Sequence, residues 1–133
     1  MILGNLKGKK VLLLGVSYRS NVGDTRYTPV EPFYNYLLKD GAKVLLHDPY
    51  VRFWEELELE VDESLDKVFD SALDIVAITT AHEEYDNSEY LINLLMNKDR
   101  LFILDTVGLF SNLQIQRLRK KHKIRVVGRG DIN

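Results

Sequence analysis

With 133 residues, a formal net charge of −2 and a pI near 5.9, the chain lacks the basic excess of a protein that coats nucleic acid or an anionic membrane. A domain of this size buries roughly two-thirds of the surface its unfolded chain exposes, so a core forms without covalent staples. There is no cysteine, which excludes a disulfide framework, a thiolate metal site and a catalytic thiol from this chain. No apolar stretch approaches the ~20 residues of a membrane span, and the N-terminus lacks the apolar core of a secretory signal. A soluble cytoplasmic protein is the expectation.

The first predicted strand is Lys10–Val16, whose "VLLLGV" is apolar on consecutive residues, as a strand covered on both faces requires. It leads into "GVSYRSNVGDTRYTP", Gly15 to Pro29. The first helix opens on "TPVE": Thr28 is placed to cap, Pro29 suits the first helical position, and Glu31 sits three after Thr28 to complete a capping box. Val30, Phe33, Tyr34, Leu37 and Leu38 then recur at helical spacing until Gly41. Lys43–His47 reads as the second strand, and Leu57–Val61 as a short alternating edge strand. Further strands are expected at Leu73–Thr79, Phe102–Thr106 and Ile124–Val127, and helices at Ser64–Ala72, Asn87–Asn97 and Ser111–His122. This alternation predicts an α/β protein, a three-layer Rossmann-like parallel sheet of five to six strands in the order 3-2-1-4-5-6, with Leu57–Val61 as strand 3. Without repeats, low-complexity tracts or a linker, residues 1–133 read as a single domain.

Open α/β sheets bind ligands at the carboxyl ends of their strands, beside the point where strand order reverses, and here that point adjoins strand 1. The segment Gly15–Thr28 leaves that point and is far longer than the usual strand-to-helix connection of about two to six residues. It is not a dinucleotide fingerprint: Gly15 stands where a first glycine would, but Ser17 and Ser20 fill the later slots. It offers Arg19 and Arg26 instead, two permanently charged forks suited to phosphate oxygens, with Asn21, Asp24 and Thr25 to orient them and a helix N-terminus at Thr28 nearby. At about 1.5–3 kcal/mol per charge-assisted hydrogen bond, two or three support micromolar binding of a diphosphate once ordering costs are subtracted. The competing reading pairs both arginines with Asp24 and Glu31, and composition leaves the two even. "HDPY" places Asp48 where a dinucleotide-binding fold holds the ribose, against the plainer reading of an Asp-Pro turn. "TTAHEEY" brings Thr79, Thr80 and His82 to the same sheet edge. Three scattered histidines without carboxylates at ligand spacing give no metal site, and His82 reads as a hydrogen-bonding loop residue. The cations of "RLRKKHK", Arg117–Lys123, fit a helix C-terminus better than nucleic acid, and Phe33, Tyr34 and Tyr36 read as core and helix surface.

The stretch from "KGKKVLLLGVSYRSNVGDTRYTPVEPFYNYLLKDGAKVLLHDPYV" through "AHEEY", "FILDTVGLF" and "VVGRG" resembles the C-terminal, UDP-binding domain of the UDP-glucose/GDP-mannose dehydrogenases, with its G-x-A-F-K-x-x-T-x-D-x-R-x-S-P segment. The resemblance implies one domain of a UDP-sugar 6-dehydrogenase, an oxidoreductase of polysaccharide biosynthesis that takes a sugar C6 alcohol to a carboxylate with two NAD, through an adduct on a cysteine elsewhere in the enzyme. It implies a UDP-sugar ligand, NAD shared with another domain, NAD-binding and central domains of the same enzyme as partners, a homo-oligomer, and no nucleic acid or membrane. Tyr18 and Arg19 fall on the Phe-Lys that contacts the nucleotide sugar, and Arg26 on the arginine that reaches the NAD phosphates. No catalytic residue is carried over. Arg19 replaces a lysine, Val22 and Gly23 stand where Thr and Asp are usual, and Val107 stands where a basic residue binds substrate. The Asp-Thr of "LDTVGLF" is closer to the N-acetylhexosamine type than to the glucose type. The rival expectation is a stand-alone interaction or regulatory module that keeps the fold and has lost the ligand. A free-standing NAD enzyme is disfavoured by the missing glycines.

Overall fold

A computed structural model describes residues 5–86 and 88–127. Asn87, expected to open a helix, and Gly128–Gly130 of "VVGRG" lie outside the described residues, as does the start of "MILGNLKGKK". In chain order the elements are β1 (Lys10–Leu14), α1 (Val30–Lys39), β2 (Lys43–His47), β3 (Phe53–Trp54), a 3-10 turn (Glu55–Leu57), β4 (Leu59–Glu60), α2 (Leu65–Phe69), β5 (Ile75–Ile78), α3 (Glu89–Met96), β6 (Phe102–Asp105), α4 (Asn112–Arg119) and β7 (Lys123–Val126).

Five strands form one parallel sheet in the order β2-β1-β5-β6-β7. Because side chains alternate across a strand, each strand feeds two cores. Leu12, Leu14, Val76, Ile78 and Ile103 pack beneath α2, α3 and α4, while Val11, Leu13, Ile75, Ala77 and Leu104 pack beneath α1 and the β3–β4 hairpin. The doubly covered sheet explains why "VLLL" and "IVAI" are apolar at every position: β1 is buried from Val11 onward and β5 throughout.

The sheet departs from the expected order at one edge. Leu57–Val61 does not enter the sheet as strand 3. Leu59–Glu60 pairs antiparallel with Phe53–Trp54 in a two-stranded hairpin, and only an isolated bridge, His47 to Asp62, occupies the place beside β2. An antiparallel partner a few residues away needs only a short turn, whereas a parallel partner needs a crossover connection of about a dozen residues or more. Fully buried Trp54, whose ring stacks obliquely on Tyr34 at 5.7 Å, draws the hairpin onto α1.

The start of α1 also differs. Pro29, not Thr28, is the N-cap residue, and no side chain caps it. The Thr28 hydroxyl accepts from Val30 N at 3.3 Å, and no capping box joins it to Glu31. The stripe buries Val30, Tyr34 and Leu37, whereas Phe33 is half-buried and Leu38 exposed. The capping box is found at α4 instead, where Ser111 and Gln114 satisfy each other's backbone N–H groups; Ser64 and Ser88 cap α2 and α3.

Candidate functional site

The exits of β2, β1 and β5 lie side by side, so the residues that follow them meet at one rim of the sheet. Gly15 turns the chain out of β1 at φ +106°, and its N–H donates to His47 O at 2.8 Å. A Cβ there would lie 2.4 Å from the Cβ of Thr80, so only glycine lets the loop pass this close to the β5 exit.

From Val16 to Asn21 the loop is held from below by buried polar groups. Asp48, with no exposed surface, accepts at Oδ2 from Val16 N (2.9 Å), Ser17 N (3.2 Å) and His82 Nε2 (2.9 Å), and at Oδ1 from Tyr50 N (2.8 Å). Burial alone pushes this carboxyl up, but the hydrogen bonds from His82, Val16 and Tyr50 outweigh it and hold Asp48 below the ordinary carboxylate value. His82, likewise wholly buried, accepts at Nδ1 from Asn21 N at 2.8 Å. A backbone N–H only donates, so the His82 proton sits on Nε2, shared between Asp48 and Ser17 Oγ at 3.0 Å. The Ser17 hydroxyl spends its own proton on Arg19 O at 3.0 Å. Thr80 Oγ1 donates to Ser17 O at 2.9 Å, and Glu83 N donates to Asn21 Oδ1 at 2.7 Å.

The same tautomer recurs at the other two histidines. His47 Nε2 donates to Glu63 O at 3.0 Å while Nδ1 accepts from Tyr85 Oη at 2.7 Å, and His122 Nε2 donates to Leu95 O at 2.7 Å while Nδ1 accepts from Leu101 N at 2.9 Å. Burial holds both imidazoles below their ordinary value, and burial with the nearby Asp48 and Glu84 carboxylates pushes the Tyr85 phenol well up. Among the described residues no three metal-ligating side chains converge.

In the outer arm, Val22–Thr28, Val22, Gly23, Arg26 and Tyr27 are exposed, while Thr25 and Thr28 are buried. Arg26 pairs with Asp24 through two 3.0 Å bonds, from Nε to Oδ1 and from Nη2 to Oδ2. Those bonds to Arg26, with the added field of Arg19, bring the Asp24 carboxyl down to about 2. Arg19 and Tyr18 are exposed at the rim, and among the described residues Arg19 makes no ion pair. At the carboxyl ends of β5 and β6 a cleft of about 330 Å³ is lined by Pro29, Val30, Phe33, Thr79, Thr106 and Val107; Tyr18 and Arg19 are not among its lining residues. Arg26 lines a separate outer groove with Tyr27, Pro32 and Glu56. The three residues singled out in the sequence thus share one loop but not one cleft.

Asp48 is corrected. With every oxygen engaged and no exposed surface it has nothing to offer a ribose; it is the Asp of an Asp-Pro turn that also anchors the loop. His82 is the hydrogen-bonding loop residue expected of it. The pairing of Arg26 with Asp24 anticipated by the competing reading is present, and that of Arg19 is not found among the described residues.

A sequence profile of the UDP-glucose/GDP-mannose dehydrogenase family, UDP binding domain, matches residues 12–112. The chain belongs to this family. A UDP-N-acetyl-D-mannosamine dehydrogenase of Methanocaldococcus jannaschii is 33% identical over 124 residues, covering 92% of this chain and 27% of the relative. UDP-glucose 6-dehydrogenase 4 of Arabidopsis thaliana is 27% identical over 85% of this chain and 25% of its own length. In fold, the chain is similar to an NDP-N-acetyl-D-galactosaminuronic acid dehydrogenase from Methanosarcina mazei Go1, with a TM-score of 0.79 at 24% identity over 94% of this chain and 26% of that one. The chain therefore spans about a quarter of the length of these relatives. Within the family it is the UDP-binding domain, on the α/β sheet the family uses.

Proposed function

We propose that this chain holds the UDP moiety of a nucleotide sugar for a UDP-sugar 6-dehydrogenase. The reading rests on one observation above the others: a long, buried-anchored loop that leaves Arg19 exposed, without an ion-pair partner among the described residues, on the same strand-exit rim that carries a cleft lined by Thr79 and Thr106. The Arg19 guanidinium is the diphosphate contact and Tyr18 its neighbour on the sugar side. Phe33, Val30 and the Thr79 and Thr106 edges offer an apolar slot for a flat base. Both threonine hydroxyls already donate to backbone carbonyls, Thr79 to Gly15 O at 2.5 Å and Thr106 to Ile78 O at 2.8 Å, so the slot walls are fixed.

NAD belongs to the assembled enzyme, with Arg26 reaching its phosphates; for that, a phosphate has to take the place of the Asp24 carboxylate now paired with it. With no cysteine, this chain carries no covalent oxidation step alone, and the NAD-binding and central domains are its partners in a cytoplasmic homo-oligomer. Val107, half-exposed on the cleft wall, offers no charge to a sugar, which favours the rival reading of a module that has lost its ligand. Calorimetric titration with UDP and UDP-sugars, beside Arg19→Ala, decides between them. The proposal expects saturable heat that Arg19→Ala weakens about tenfold, the loss of one charge-assisted bond. No heat up to millimolar nucleotide supports the rival.

A further inference from the structure

The geometry points to Asp48 and His82 as positioning residues for the nucleotide: a buried clamp that sets the inner arm of the loop so that Tyr18 and Arg19 stand at the rim. The inference rests on the nucleotide reading above and adds to it the device that holds the site in shape.

Neither side chain touches solvent, so neither touches a ligand. Their bonds go to the backbone of the arm itself. Asp48 takes the N–H groups of Val16 and Ser17, and His82 takes that of Asn21, so the clamp grips the residues on both sides of Tyr18 and Arg19. The two members are tied to each other through Nε2 and Oδ2 at 2.9 Å. Ser17 Oγ closes the ring by donating to Arg19 O, which fixes the backbone of the arginine directly. Asn21 adopts a left-handed φ of +65°, tolerable for asparagine, with its amide oxygen pinned to Glu83 N at 2.7 Å.

The clamp works only with His82 carrying its proton on Nε2. Were that proton on Nδ1, an N–H would face the N–H of Asn21 and Asp48 would face a lone pair. The acidic and titratable groups about the ring are Asp48 and His47 from the end of β2, Tyr50 with its ring centroid 4.9 Å away, and Glu83, Glu84 and Tyr85 from the segment after β5. Asp48 is the acceptor that selects the Nε2 proton, and Asn21 N–H is the donor that forbids the Nδ1 one. A pre-set arm spares the ligand the ordering of some six residues, and its loss reads out as affinity.

The test uses the 133-residue chain with His82→Ala, His82→Asn and Asp48→Asn, reading amide exchange residue by residue and UDP affinity by calorimetry. His82→Asn retains an acceptor near the position of Nδ1, whereas His82→Ala does not. The expected result is fast exchange at Asn21 in His82→Ala and at Val16 and Ser17 in Asp48→Asn, with β1 and β5 still protected. UDP binding then weakens about tenfold, and His82→Asn restores most of it. If His82→Ala does not fold, the ranking of parent, His82→Asn and Asp48→Asn decides alone, with weaker UDP binding in Asp48→Asn than in His82→Asn expected. A folded variant whose loop amides exchange freely while its UDP affinity equals that of the parent overturns the clamp. Absence of UDP binding by the parent overturns the nucleotide reading instead, and the clamp's role with it.

Discussion

The two halves of the loop between β1 and α1 share a sequence style and differ in how they are held. Val16–Asn21 is pinned by Asp48, Thr80 and His82, groups that are all buried. Val22–Thr28 relies on a solvent-exposed Arg26–Asp24 pair and a Thr25–Glu56 hydrogen bond of 2.6 Å, and it carries Tyr27, which is 93% exposed at φ +57°. Buried hydrogen bonds to a carboxylate in low dielectric define a shape, whereas surface pairs in water contribute little and exchange partners freely. The inner arm is thus fixed by buried polar groups, whereas the charged contact of the outer arm lies in water.

The comparison breaks most visibly at Asp48. Asp48→Ala leaves the Val16, Ser17 and Tyr50 N–H groups without their acceptor, and at about 1–3 kcal/mol per orphaned buried donor the loss is expected to reach about 3–5 kcal/mol, read from denaturant melts. Gly15→Ala forces a Cβ to within 2.4 Å of Thr80 at a left-handed φ and is expected to cost about 2–3 kcal/mol in the same assay.

Acid should act through the buried imidazoles. His47 and His122 titrate below the ordinary 6.5 in the folded chain because burial disfavours their cations. A depressed folded value means that the unfolded chain takes up protons first. The stability they contribute is therefore complete above 6.5 and is lost as pH falls through that value toward the folded ones. Asp48 adds a second loss below its ordinary 3.8 by the same sign. Chemical denaturation at about pH 7.5 and about pH 5.5 should show the first loss, and equal midpoints would contradict imidazoles kept neutral by burial.

Smaller effects sharpen the contrast from the outer side. Tyr27→Gly relieves a left-handed tyrosine and is expected to raise stability by about 1 kcal/mol. Asp24→Ala and Arg26→Ala, at an exposed pair, should leave the melting temperature where it is, while the equivalent disruption of the inner arm does not.

Much of the fold was legible because each strand is an uninterrupted apolar run. Lys43–His47 matches residue for residue, and Phe102, expected to open its strand, does so. Predicted ends ran long at Val16 and Thr79, where side chains stay apolar or β-branched after the ladder stops. Leu57–Val61 misled because alternation records a half-buried strand and not its partner, and Phe53–Trp54 was nearer than β2. The clamp was least legible. Ser17, Asp48 and His82 are separated by 31, 65 and 34 residues in the three pairings, and only the β2-β1-β5 register brings them together. Each does stand just past a strand, in "GVS", "HDP" and "TTAH", so chemistry-bearing residues at three adjacent strand exits were the available signal. Arg19 was visible in sequence as a charge, but not as one without an ion-pair partner among the described residues.

The most direct test of the account is amide chemical-shift mapping of the 133-residue chain during titration with UDP. The expected perturbations concentrate at Tyr18, Arg19, Thr79, Thr106 and Val107, at one rim of the sheet. Saturable shifts confined to the opposite rim, around Lys120 and Lys123, or no shifts at all, would contradict it.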